Sequence, residues 1–118
     1  MFISGGSKGI FTDCTIHHNG MDGVGADEEG TLVELRGEQT EIHHNGNRGL
    51  VAWSNAIINI YIPSRSITAL VHDNGEDDDL YTRFGGKIKS QLSSSSLELT
   101  VIQEAPPDGD EDSDEEDY

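Results

Sequence analysis

Ile16-His17-His18-Asn19-Gly20 returns as Ile42-His43-His44-Asn45-Gly46, at an offset of 26 residues. The agreement runs past the phrase: Gly23-Val24 and Gly49-Leu50 follow their asparagines at the same distance. A looser third copy reads Val71-His72-Asp73-Asn74-Gly75, at an offset of 29. Self-similarity at such a period marks a solenoid, in which each unit is too small to bury its own apolar face and stacks on the next.

The first unit gives the reading of all of them. Cys14, Ile16 and His18 alternate with Thr15 and His17, the period of two expected of a strand. Asn19-Gly20 then turns the chain, since both residue types tolerate positive φ. Gly23 to Ala26 and Leu32 to Leu35 read as two further short strands, separated by the polar turn Asp27-Glu28-Glu29-Gly30. The second unit repeats the plan with Thr40 and Ile42, Leu50 to Trp53, and Ile57 to Ile62 before Pro63. Three short strands per unit with no helical periodicity predict an all-β fold. The expected form is a right-handed parallel β-helix of about three to four short coils, with rungs about 4.8 Å apart.

In the third unit, Ser64 to Thr68 is an insertion. Ala69 and Val71 keep the inward parity of Cys14/Ile16 and Thr40/Ile42. Leu80 to Phe84, Lys87 to Lys89 and Leu97 to Val101 are the remaining expected strands. Gly5 to Phe11 resembles the middle of a preceding coil, and Met1 to Phe11 has no visible cap, so the expectation is self-association through that coil end.

Composition bounds the rest. The 118 residues carry a net charge of −16, and 33% of them are apolar. The segment Ala105–Tyr118 has eight acids and no base, so residues 1–104 are assigned to the repeat domain and 105–118 to a disordered acidic tail. Negative charge on both parts argues against nucleic acid or an anionic membrane as partner and better tolerates cations or basic protein surfaces; a protein or a glycan is the partner considered. Cys14 is the only cysteine; it excludes an intrachain disulfide and fits a reducing compartment such as the cytoplasm. No signal peptide and no transmembrane segment are expected from the pattern after Met1 or from the apolar runs.

The spacing Cys14-x-Ile16-x-x-Asn19-x-x-x-Gly23-Val24, matched by Thr40-x-Ile42-x-x-Asn45-x-x-x-Gly49-Leu50, resembles the parallel β-helix repeat of the pectin-lyase-like superfamily. The Leu-Arg-Gly-Glu and Ile-His-His-Asn phrases look closest to β-helix repeat proteins of algae and protists. The resemblance spans roughly residues 5–90. It implies that Asn19, Asn45 and Asn74 stack as an internal ladder at a turn. Relatives by fold include the substrate-binding repeats of F-box ubiquitin-ligase adaptors, which implies a non-catalytic module binding another macromolecule. They also include polysaccharide lyases, hydrolases and epimerases, which leaves a fragment of a carbohydrate-active enzyme as the alternative.

Four groups of residues invite chemistry. His17 should lie over His43 and His18 over His44, so imidazoles one rung apart could share a metal with Asp73 as an added ligand. Their spacing matches no closed site, and duplication alone makes them recur. Asp77, Asp78 and Asp79 near Arg83 have the residue types of a sugar-cleaving or calcium-binding cluster, while an acidic turn is the ordinary explanation. Trp53, Tyr61 and Tyr81 would form a sugar-stacking strip if exposed, and otherwise cover the core. Cys14 has inward parity and reads as an inert core thiol. No cofactor is called for.

Overall fold

A computed structural model describes residues 1–75, 79–91, 95 and 98–106. Along the chain the elements are β1 (Phe2–Ile3), β2 (Lys8–Thr12), β3 (Thr15–His17), β4 (Val24–Asp27), β5 (Leu32–Arg36) and β6 (Glu41–His43). Then follow β7 (Leu50–Trp53), β8 (Ile57–Tyr61), a single turn of helix α1 (Ile67–Leu70), β9 (Val71–His72), β10 (Leu80–Arg83), β11 (Lys87–Ser90) and β12 (Thr100–Glu104). From β1 to β11, every third strand falls in the same sheet. The first face is ordered β1-β4-β7-β10, the second β2-β5-β8-β11-β12, and the third β3-β6-β9. All neighbours are parallel except β11 and β12. This is a parallel β-solenoid of about three turns.

The register follows the repeat. Ile16 pairs with Ile42 and Ile42 with Val71; Val24 pairs with Leu50 and Leu50 with Leu80. On the second face Val33, Ile58 and Ile88 align, as do Leu35 and Ile60. These inward columns make one core, in which Ile42, Leu50, Val33, Ile58 and Ile88 are wholly buried. Each such aliphatic side chain stabilises the fold by about 1.5–3 kcal/mol relative to its exposed form. The corners stack as well: His18 N–H donates to the His44 carbonyl at 3.0 Å, and His44 N–H to the Asp73 carbonyl at 2.9 Å. His18, His44 and Asp73 all have φ of 53–57°. The same left-handed kink therefore recurs in each coil and ends the strand there.

Several expectations need correction. Ala69 is exposed, and Leu70 points inward beside Val71. The inserted residues wind into α1, whose N-cap Ser66 accepts a hydrogen bond from Ala69 N–H at 3.2 Å, and the helical turn shifts the parity by one. Strands β1 and β2, not singled out in the sequence, complete the first rung. Phe84 leaves its strand with φ of 53° at the corner. The last strand runs Thr100–Glu104 and turns back antiparallel on β11, with a bulge between Ile88 and Lys89. Leu97 lies outside the described residues. Ala105, placed at the head of the tail, is buried and donates its N–H to the Gly86 carbonyl at 3.2 Å. The rest of the acidic segment from residue 107 onward lies outside the described residues.

Candidate functional site

The turn after the third face holds the asparagines. Asn19 Nδ2 donates to Asn45 Oδ1 at 2.8 Å, and Asn45 Nδ2 to Asn74 Oδ1 at 2.9 Å. Each of those oxygens also accepts the backbone N–H of the preceding asparagine, at 3.1 and 3.0 Å. Asn45 is 3% exposed and caps two carbonyls, of Ile16 and His43, with its remaining donor capacity. Asn74 Nδ2 donates to Asp79 Oδ1 at 3.0 Å. The Asp79 carbonyl in turn accepts from Gly49 and Leu50 N–H. Asp79 is thus drawn into the turn; Asp77 and Asp78 lie outside the described residues. Arg83, on the first face, donates to the Tyr81 hydroxyl at 3.1 Å.

The outer surface of the third face is an array of imidazoles. His17, His43 and His72 stack with centroids 5.3 and 5.5 Å apart and planes within 6°. His18 stacks on His44 at 5.7 Å. Within each of the first two rungs the adjacent rings meet edge to face, and their Nδ1 atoms are 2.6 Å apart in both His17–His18 and His43–His44. Only one proton fits between two such nitrogens. In the third rung Asp73 replaces the second histidine and its Oδ2 meets His72 Nδ1 at 2.8 Å. His72 Nε2 meets Glu41 Oε2 at 2.7 Å. With a carboxylate on each nitrogen, both nitrogens are placed to donate, which favours the imidazolium form. The bonds to Asp73 and then Glu41 raise the His72 pKa above 6.5, and the bond to His72 lowers those of Asp73 and Glu41. His43, central in the stack, is pushed below 6.5 by partial burial and then by His44, His17 and His72, against Glu41. Among the described residues no three His, Cys, Asp or Glu side chains converge as a metal cage.

The aromatic residues do not form one strip. Trp53 and Tyr81 lie on the first face and Tyr61 on the second. The Arg48 guanidinium covers Tyr81 at 3.9 Å and that of Arg36 covers Tyr61 at 4.1 Å, which occupies one face of each ring. Trp53 instead meets Phe2 at 6.4 Å. Together with Met1, Met21, Asp22 and Gly25 they line a recess of about 310 Å³ on the first face. Phe2 is 60% and Met21 66% exposed. Neither stood out in the sequence, nor did Glu41. Their signal is positional: Phe2 pairs with Gly25, whose missing side chain leaves the recess open. Cys14 is only half-buried, with its Sγ near the Thr12 carbonyl; the matching inward position is filled by fully buried Thr40. The expectation of a core thiol is therefore corrected: Cys14 is only partly covered, stacked against Thr40 of the next rung.

Among the described residues no helix is long and apolar enough to cross a membrane. Comparison with family models, with curated proteins and with solved structures found no match in any of the three.

Proposed function

We propose that this chain is a non-catalytic β-solenoid module that binds a protein partner on its first face. The observation that supports it most is the exposed apolar pair Phe2 and Met21 beside Trp53, around the recess of about 310 Å³. Clustered exposed apolar side chains mark interaction surfaces, and flexible methionines suit the irregular contacts of a protein. A glycan is the less favoured ligand, because stacked arginines already occupy one face of Tyr61 and Tyr81. The engagement of Asp79 with Asn74 supports a structural part for it rather than an acid–base part in a carbohydrate-active enzyme. We also read the chain as kin to the pectin-lyase-like superfamily and its algal and protist repeat proteins, on the strength of the asparagine spacing.

The test is photocrosslinking in the native extract from position 21, with position 8 of the same rung but the second face as control. A crosslink to one protein from position 21, absent from position 8 and lost with Trp53→Asp, is the expected result. Equal labelling from both positions overturns the assignment of the face. Release of unsaturated uronides or reducing ends from a polysaccharide panel overturns the non-catalytic reading.

A further inference from the structure

We propose that the pairs His17–His18 and His43–His44 are chelating sites for a divalent transition ion of square-planar or octahedral preference, each held through its two Nδ1 atoms. The argument begins with the backbone. Neighbouring residues of a strand point to opposite faces, so adjacent histidines do not normally meet. The left-handed φ of His18 and His44, 57° and 53°, swings the second ring to the side of the first. Stacking between the rungs then fixes the ring planes, within 4° for His17 on His43 and 8° for His18 on His44. The result is two copies of one geometry, with paired Nδ1 atoms 2.6 Å apart sharing one proton; an ion takes the place of that proton, which is released to solvent while the donor ring carries its N–H on Nε2 instead.

That distance selects among ions. With metal–nitrogen bonds of about 2.05 Å, tetrahedral zinc needs its ligand atoms about 3.3 Å apart, whereas a right-angled pair needs about 2.9 Å. At 2.6 Å the pairs lie nearer the right angle, which favours nickel(II) or copper(II) over zinc; imidazole suits these ions in kind. Solvent completes the coordination, consistent with the lack of a third convergent protein ligand among the described residues. Net charge of −16 raises the local concentration of any cation. The third rung is an internal control. There His72 is engaged by Asp73 and Glu41 on both nitrogens and offers no free lone pair.

The coils also predict how the two sites interact. Ions bound one rung apart lie about 5 Å from each other, so the second binds on the order of ten- to a hundredfold more weakly than the first, less so in high salt. Nickel(II) is the probe, because copper(II) would oxidise the half-buried Cys14 thiol.

The experiment is calorimetric titration of the full chain with nickel(II) and, separately, zinc(II). Expected are two unequal nickel sites, with zinc at least severalfold weaker at the first. His18→Asn and His44→Asn each remove one site and the double variant removes both, since asparagine keeps the left-handed turn. His17→Gln, on a strand exterior, provides a second way to remove the first-rung site should the turn variants misfold. Nickel binding by the double variant that equals the parent chain overturns the proposal, because the ligands then lie elsewhere. Zinc as tight as nickel overturns the geometric assignment.

Discussion

The first two coils and the third use the same corner differently, and the difference separates what the fold requires from what the surface is free to change. Inside, nothing varies in kind: Ile16, Ile42 and Val71 fill one column, and Asn19, Asn45 and Asn74 another. Outside, the second histidine of the pair becomes Asp73, and the imidazole pair becomes a hydrogen-bonded histidine–carboxylate pair. Yet the backbone at that position keeps φ near 54° in all three coils. The corner is thus specified from within, and its exterior residues are replaceable.

The comparison can be broken most sharply at the glycine after each asparagine. A Cβ on Gly46 would collide with the Gly20 carbonyl of the rung before it, while one on Gly20 meets nothing within 4 Å. Gly46→Ala should cost about 3 kcal/mol and Gly20→Ala about 0.5 kcal/mol or less, measured by urea denaturation. Equal costs would mean that the rungs are not in van der Waals register. The asparagines give the next effect. Asn45→Ala strips acceptors and donors from both neighbours and should cost about 2–3 kcal/mol, against about 1 kcal/mol for the terminal, half-buried Asn19→Ala. An unchanged midpoint for Asn45→Ala would remove the column from the list of stabilising features.

Smaller effects sharpen the account of the third coil. Ser66→Ala removes the cap of α1 and should cost about 1 kcal/mol; no change would show that packing of Leu70 alone holds the turn. The smallest is a matter of protons. In the metal-free chain, His72 should titrate above 6.5 and His43 below it, followed by NMR. The two work in opposite senses on stability. His72 contributes fully below pH 6.5, and its contribution is lost as pH rises through its raised folded value. His43 contributes against the fold as pH falls from 6.5 toward its lowered value. Glu41→Gln should bring both values down, since Glu41 raises each. A His72 that titrates below His43 would contradict the paired carboxylates.

How much of this was legible depends on whether the determinant repeats. Ile16, Ile42 and Val71 declared their register because an inward position in one coil must be inward in the next, and the three-residue excess of the third coil did not disturb it. Imidazole stacking followed from the same register. Ala69 misled because one capped helical turn changes parity, and a lone Ser66 is a weak signal. β12 was displaced from its expected span because antiparallel return has no repeat to announce it. Arg36 over Tyr61 and Arg48 over Tyr81 depend on side chains that reach across rungs, and alternation says nothing about reach. The apolar recess depends on Gly25, an absence of side chain, and the strip of three aromatics failed because Tyr61 sits around a corner from the others.

The asparagine column has an electrical direction. The N–H groups that link one side chain to the next all point the same way, from Asn19 through Asn45 to Asn74. Aligned amides add their dipoles and polarise one another along the chain of bonds, as peptide groups do in a helix. The positive end of this column is at Asn74, and there the Asp79 carboxylate receives the last N–H. The stack therefore ends on a fixed negative charge, which completes the dipole chain at the end toward which it grows, just as an acidic side chain completes the amino end of a helix. Successive coils added in the same sense would deepen that field rather than cancel it, so the interior of such a solenoid is a polarised wire of amides running along its axis.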